Sequence, residues 1–153
     1  MTWKTQSLFW LLACALALLL TGCRSAKLPR TLPVQGKVTW RGQPLSQGMV
    51  AFSPARLGEA GQPSRPAMGK IGPDGTYRLS SFRENDGAMP GEYRVTVVSY
   101  YASEPGPDDS FKPAVSRIPI RYGDPEKSGL NFTVPSDARG PVVYNIDVQG
   151  LPR

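Results

Sequence analysis

The sequence predicts an all-β protein: a single antiparallel Greek-key β-sandwich of about seven strands and immunoglobulin-like size, preceded by a signal-peptide helix. Two observations carry that expectation. Short stretches alternate apolar and polar residues with a period of two, and Gly, Pro, Asp and Asn break the chain between them. No stretch beyond residue 23 keeps a 3.6-residue apolar period, and 16 prolines in 153 residues would interrupt long helices in any case.

The N-terminal element comes first. Residues 8–20 form an apolar block of 13 residues behind one cation, Lys4. A membrane-spanning helix needs about 20 apolar residues, whereas a basic start followed by an apolar run of about 7–15 fits a secretory signal. The block ends in Leu20-Thr21-Gly22-Cys23, which resembles the lipobox of bacterial lipoprotein signal peptides. The resemblance implies cleavage before Cys23, a diacylglyceryl thioether on its thiol and an acylated new amino terminus. Small residues at 21 and 22 give a peptidase access to the backbone, and only a thiol carries the thioether. Acyl chains at one residue exceed the two anchoring signals that stable membrane attachment requires. The competing readings are an ordinary signal peptide or a short anchor helix. The expected partner is therefore membrane lipid through acylated Cys23, and the expected location is the bacterial cell envelope with the domain outside the cytoplasm.

From Cys23 onward the chain holds 131 residues (153 − 22), enough for one domain. Its charge is 17 Lys and Arg (18 less Lys4) against 12 Asp and Glu, an excess of +5. No block of five like charges occurs, so nucleic acid is not an expected partner. Arg24, Lys27 and Arg30 follow the anchor, where each could gain about 1 kcal/mol from anionic head groups. Both cysteines, Cys14 and Cys23, belong to the export segment, so neither a disulfide nor a free thiol remains in the domain.

The expected organisation is a signal peptide over 1–22, lipidated cysteine and tether over 23–33, the sandwich over 34–148 and a tail over 149–153. Strands are expected at VQGKVTW (34–40), GMVAF (48–52), AMGKI (67–71) and, after the turn GPDG (72–75), at TYRLSS (76–81). EYRVTVVSYY (92–101) is the clearest, with Tyr93, Val95 and Val97 on one face, and Pro90-Gly91 launching it. SGLNFTV (128–134) and PVVYNIDV (141–148) complete the set; in the latter Val142, Tyr144, Ile146 and Val148 are in phase. Two Pro- and Gly-rich stretches, 53–66 and 103–119, are long for hairpin loops, and such loops are functional or disordered.

Successive motifs carry a resemblance to a known family. VQGKVTWRGQPLSQGMVAFSP (34–54), IGPDGTYRL (71–79) and DGAMPGEYRVTV (86–97) resemble the carboxypeptidase regulatory-like domain, a transthyretin-like β-sandwich. RYGDPEKSGLNFTV (121–134) is similar to a later segment of small bacterial lipoproteins built from one such domain. The resemblance covers about residues 34–148 and implies a non-catalytic domain. The residues also have a physical reading. Gly36 and Gly42 suit close approach or positive φ. Tyr77 and Tyr93, each two residues after a turn pair, can return their hydroxyls to backbone groups across a corner.

Chemistry is narrowed by what the sequence lacks. With no histidine, His-assisted triads and most zinc sites are excluded. Asp108-Asp109 and Asn85-Asp86 are the acidic or Asx pairs to weigh; calcium wants six to eight oxygens, more than either pair offers, and turn formation is the commoner use. No catalytic residue, metal ligand or cofactor is expected. Tyr100, Tyr101 and Phe111 flank the second long loop and form a candidate binding surface, with Trp40 at the end of the first strand. The expected function is a lipid-anchored binding or scaffolding module meeting an envelope protein. The alternative is a carbohydrate- or peptidoglycan-binding module that stacks sugar rings on those aromatics. An enzyme built on paired carboxylates is the third reading.

Overall fold

The computed structural model describes residues 28–57, 59–61, 63–101 and 114–149. The expected signal peptide, the lipobox Leu20, Thr21 and Gly22 with Cys23, and Phe111 lie outside the described residues, as does most of 103–119. Among the described residues no helix is long and apolar enough to cross a membrane.

The fold is all-β, with two sheets arranged as a sandwich. One sheet has four antiparallel strands in the order β4-β3-β6-β7: β3 (Gly48–Pro54), β4 (Ala67–Ile71), β6 (Gly91–Val98) and β7 (Leu130–Val134). The other is built around β1 (Val34–Trp40), which pairs antiparallel with β2 (Gln43–Pro44) and β5 (Thr76–Arg78) along one edge. Along its other edge run β8 (Val142–Val143) and β9 (Ile146–Val148), both parallel to β1. This sheet is therefore mixed rather than antiparallel throughout. Periodicity places the 142–148 side chains on the inner face but is silent on the direction of the partner strand.

The expected strand over 141–148 is split at Tyr144 and Asn145, where a side chain takes one of the ladder hydrogen bonds of β1. There the Lys37 N–H donates to Asn145 Oδ1 at 3.0 Å, and the Tyr144 N–H donates to the Gln35 carbonyl at 2.9 Å. The strand expected over 92–101 ends at Val98; beyond it Tyr100 makes only an isolated bridge to Ser116.

Alternation decides the core. Val34 and Val38 of β1, Val50 and Phe52 of β3, Tyr93, Val95 and Val97 of β6, and Ile146 and Val148 of β9 are buried between the sheets. Phe52 sits at the centre of an aromatic group, its ring 5.6 Å from Tyr93, 5.9 Å from Phe132 and 6.0 Å from Tyr144. Tilted and edge-on contacts of this kind add about 0.5–1.5 kcal/mol each beyond the area buried. Thr96, on the face of β6 opposite Tyr93, Val95 and Val97, is buried as well. A 3-10 turn, Ile120–Gly123, packs on β6, and Arg94 pairs with Glu126 from the same segment. That turn also fastens the end of β9: Tyr122 Oη donates to the Gln149 carbonyl and accepts from its N–H, each at 3.1 Å.

The chain entering the domain is clipped on before β1 begins. Leu32 is buried and exchanges both backbone hydrogen bonds with Ala88, at 2.8 and 3.0 Å. The Arg30 guanidinium donates to the carbonyls of Ser136 and Ala138. Residues 30–33, read from sequence as tether, thus make backbone and side-chain contacts with the sandwich.

Candidate functional site

The polar residues of the sequence motifs are held by the fold. The Asp86 carboxylate accepts the backbone N–H groups of Ser81 (2.7 Å), Phe82 (3.1 Å) and Arg83 (3.0 Å), closing the 81–86 loop around one side chain. Asn85 beside it takes a positive φ of 57°, the left-handed conformation Asx residues tolerate in turns. Gly87 follows with φ of 89°, and a Cβ there would overlap the Leu32 carbonyl. Asp86 of the pair weighed for calcium thus holds the loop that leads to Ala88, whose backbone pairs with Leu32 of the incoming chain.

Both motif tyrosines return to the backbone. Tyr93 Oη donates to the Met89 carbonyl at 2.9 Å, four residues upstream, and Tyr77 Oη donates to the Tyr144 carbonyl at 2.6 Å. Burial pushes both phenols well above their ordinary range, which keeps them neutral donors. Gly36 lies under the second bond; a Cβ there would overlap the Tyr144 carbonyl oxygen. In the GPDG turn, the Gly75 N–H donates to the Gly72 carbonyl at 3.0 Å. Asp74 accepts from the Thr76 hydroxyl (2.7 Å) and N–H (3.1 Å), which together hold its carboxyl below the usual carboxylate range.

The aromatic surface is present in part. Tyr100 and Tyr101 are 44% and 57% exposed, as the sugar-stacking reading requires. The Arg117 guanidinium lies 5.3 Å from the Tyr101 ring centroid, so one of its faces is already covered. Adjacent residues of an extended segment start from opposite faces, so the two rings do not begin as one platform. Val115, whose carbonyl accepts the Tyr101 N–H, is exposed beside them. Trp40 is half-buried against the core, with Arg41 stacked at 4.9 Å.

A second surface was not signalled by any motif. The outer face of β1 and β5 holds a shallow depression of about 350 Å³ lined by Gln35, Lys37, Thr76, Arg78, Val143 and Asn145. A second, of about 450 Å³, shares Thr76 and Arg78 and continues over β4 to Met68, Lys70, Ser80, Glu84 and Asn85. Three cations face this continuous groove: Lys37, Arg78 and Lys70. Among the described residues none of the three has a salt bridge, although Lys37 neighbours the Asp74 carboxylate. Most other described cations are engaged. Arg56, Arg94 and Lys127 form ion pairs, and Arg41, Arg65, Arg117 and Arg121 lie over aromatic rings. Lys37 and Arg78 share the outer face by alternation within β1 and β5, but their convergence with Lys70 of β4 depends on the packing of strands distant in sequence. Among the described residues no three acidic or thiol side chains gather as a metal site would require.

No family model matches the sequence, and no curated protein matches it. Two solved structures show a distant likeness. One is a DUF3823 family protein from Parabacteroides merdae, 16% identical, with a TM-score of 0.37, covering 79% of this chain and 47% of that one. The other is a 9R-lipoxygenase from Cyanothece, 12% identical, with a TM-score of 0.39, covering 98% of this chain and 24% of that one. The chain thus spans about half and about a quarter of the lengths of these two proteins.

Proposed function

We propose that this chain is a lipid-anchored, non-catalytic binding or scaffolding module of the bacterial envelope, built on a transthyretin-like, carboxypeptidase regulatory-like domain. The observation that carries the reading is the occupancy of the motif residues. Asp86 holds three backbone N–H groups, Tyr77 and Tyr93 close corners, and Asp74 caps its own turn, so the residues that carry the family resemblance act in folding. The lipobox supports the anchor through the spacing of Leu20, Thr21, Gly22 and Cys23. Acylated Cys23 would hold the domain at the membrane surface, with Arg30 and Leu32 fastening the incoming chain to it.

The test is a crosslinked pull-down of the full-length lipidated protein from envelopes, followed by mass spectrometry. A specific protein partner lost on deleting residues 103–119 supports scaffolding and places its surface. Absence of any specific partner, protein or glycan, contradicts the reading.

A second reading, sugar binding at Tyr100 and Tyr101, is favoured by their exposure. Recovery of glycan fragments that Tyr101→Ala abolishes would support it.

A further inference from the structure

We propose that the groove across the outer faces of β1, β5 and β4 binds an acidic polysaccharide. This rests on the binding-module reading and gives it a site and a ligand class that the aromatic surface does not share.

The argument begins with charge. Lys37, Arg78 and Lys70 face one continuous groove without salt bridges, while most other described cations are paired, stacked or bound to carbonyls. The Asp74 carboxylate lies near Lys37 without forming a salt bridge to it, and a cleft lined mainly by one sign of charge draws the opposite charge from solution. Lys37 is opposite Thr76 in the β1–β5 register and Gln35 is opposite Arg78. The two cations are therefore diagonal neighbours, about 7–8 Å apart at the backbone. Lys70 lies beyond Arg78 in the second depression, so the cations are spread along a track instead of gathered round a point. A polymer with repeated carboxylates matches a track; a compact anion reaches only one end of it.

The remaining lining is hydrogen-bonding. Gln35 and Asn145 offer amides on one side, and Thr76, Ser80 and Asn85 offer hydroxyl and amide groups towards the other. Such groups read sugar hydroxyls. Glu84 is the one carboxylate of the lining and would repel an acid at that end, which sets the better-charged end at Lys37 and Arg78.

Two other occupants fit less well. An extended peptide binds through main-chain hydrogen bonds at a free strand edge. Here β1 is paired along both edges, and β5 is flanked by β1 and by the Met68–Ser80 bridge from β4. A bilayer would want protruding apolar side chains; this surface is concave, with only Met68 and Val143 as exposed large apolar residues.

The experiment is affinity electrophoresis of the full chain in detergent, through gels containing polygalacturonate or neutral dextran, with flotation on phosphatidylglycerol vesicles in parallel. The wild type is expected to be retarded by polygalacturonate and not by dextran. Lys37→Gln and Arg78→Gln should each weaken retardation by up to about fivefold, the span of exposed charge pairs. The triple variant with Lys70→Gln should abolish it, and Arg139→Gln, a cation outside the groove, should leave it unchanged. Circular dichroism of each variant checks the fold. No retardation of the wild type, retardation surviving the triple variant, or equal loss on Arg139→Gln would overturn the assignment. Vesicle binding that the triple variant abolishes, without polysaccharide retardation, overturns it in favour of a membrane surface. None of these failures touches the anchored-module reading, which stands or falls on the pull-down.

Discussion

The Tyr77 hydroxyl donates to the Tyr144 carbonyl at 2.6 Å over the bare backbone of Gly36. Tyr77 comes from β5 and Tyr144 from the break between β8 and β9, so one bond spans β1 and ties its two flanks together. Gly36→Ala should destabilise the domain by about 1–3 kcal/mol through overpacking against the Tyr144 carbonyl. Tyr77→Phe should cost about 1 kcal/mol. In urea unfolding, the double variant should lose less than the sum of the two, because both remove the same contact.

The loop gripped by Asp86 makes a second prediction. Asp86→Ala leaves three backbone donors, those of Ser81, Phe82 and Arg83, without their acceptor. We expect a loss of about 2–4 kcal/mol, reduced where water can replace the carboxylate. Since Ala88 is bridged to Leu32, protease cleavage near residues 28–33 should quicken in the same variant. Unchanged cleavage would show that the clip does not depend on this loop.

Alkali should unfold the protein through its buried phenols, Tyr77 and Tyr93 above all, with Tyr144 raised in the same direction by burial. The phenols of Tyr77 and Tyr93 are raised in the folded state, mainly by burial, while in the unfolded chain they ionise near pH 10. A raised group contributes stability that is complete below its unfolded value and is lost as pH climbs past it, because the unfolded state then releases protons that the folded state keeps. Tyrosinate absorbance at 295 nm should therefore show these two ionising with the loss of the circular dichroism signal above about pH 10, not before it.

Acid acts with the opposite sign. Asp74 is lowered, first by its bond from the Thr76 hydroxyl, and Asp124 is lowered, first by the Glu126 N–H. A lowered carboxyl contributes stability present above its unfolded value, near pH 4, and lost as pH falls below it. Thermal melts should show a decline in that window that Thr76→Val makes smaller.

Much of the inner face is legible in the sequence, because burial between two sheets forces a period of two. Val95 and Val97, or Ile146 and Val148, announce their side by alternation alone. Gly36 and the two turn-following tyrosines are legible for another reason: a missing side chain and a phenol at fixed distance from a turn mark a corner. What alternation cannot state is the partner. The parallel pairing of 142–148 with β1 brings together residues about 108 positions apart, such as Thr39 and Asp147, and no local pattern encodes it. The burial of Thr96 is equally silent in the sequence: alternation sets its face but not what lies over that face. Leu32 escaped notice because a single buried residue has no period. The groove residues look, strand by strand, like an ordinary solvent face.

Everything assigned to the outside of the cell rests on acylation of Cys23, and intact-mass spectrometry of the protein extracted from membranes tests it most directly. The expected species is the 131-residue chain (153 − 22) starting at Cys23 and carrying acyl chains, with Cys23→Ala accumulating as the full unprocessed chain. A wild-type chain that begins elsewhere, or that carries an unmodified Cys23 thiol, would contradict the anchor and with it the proposed location.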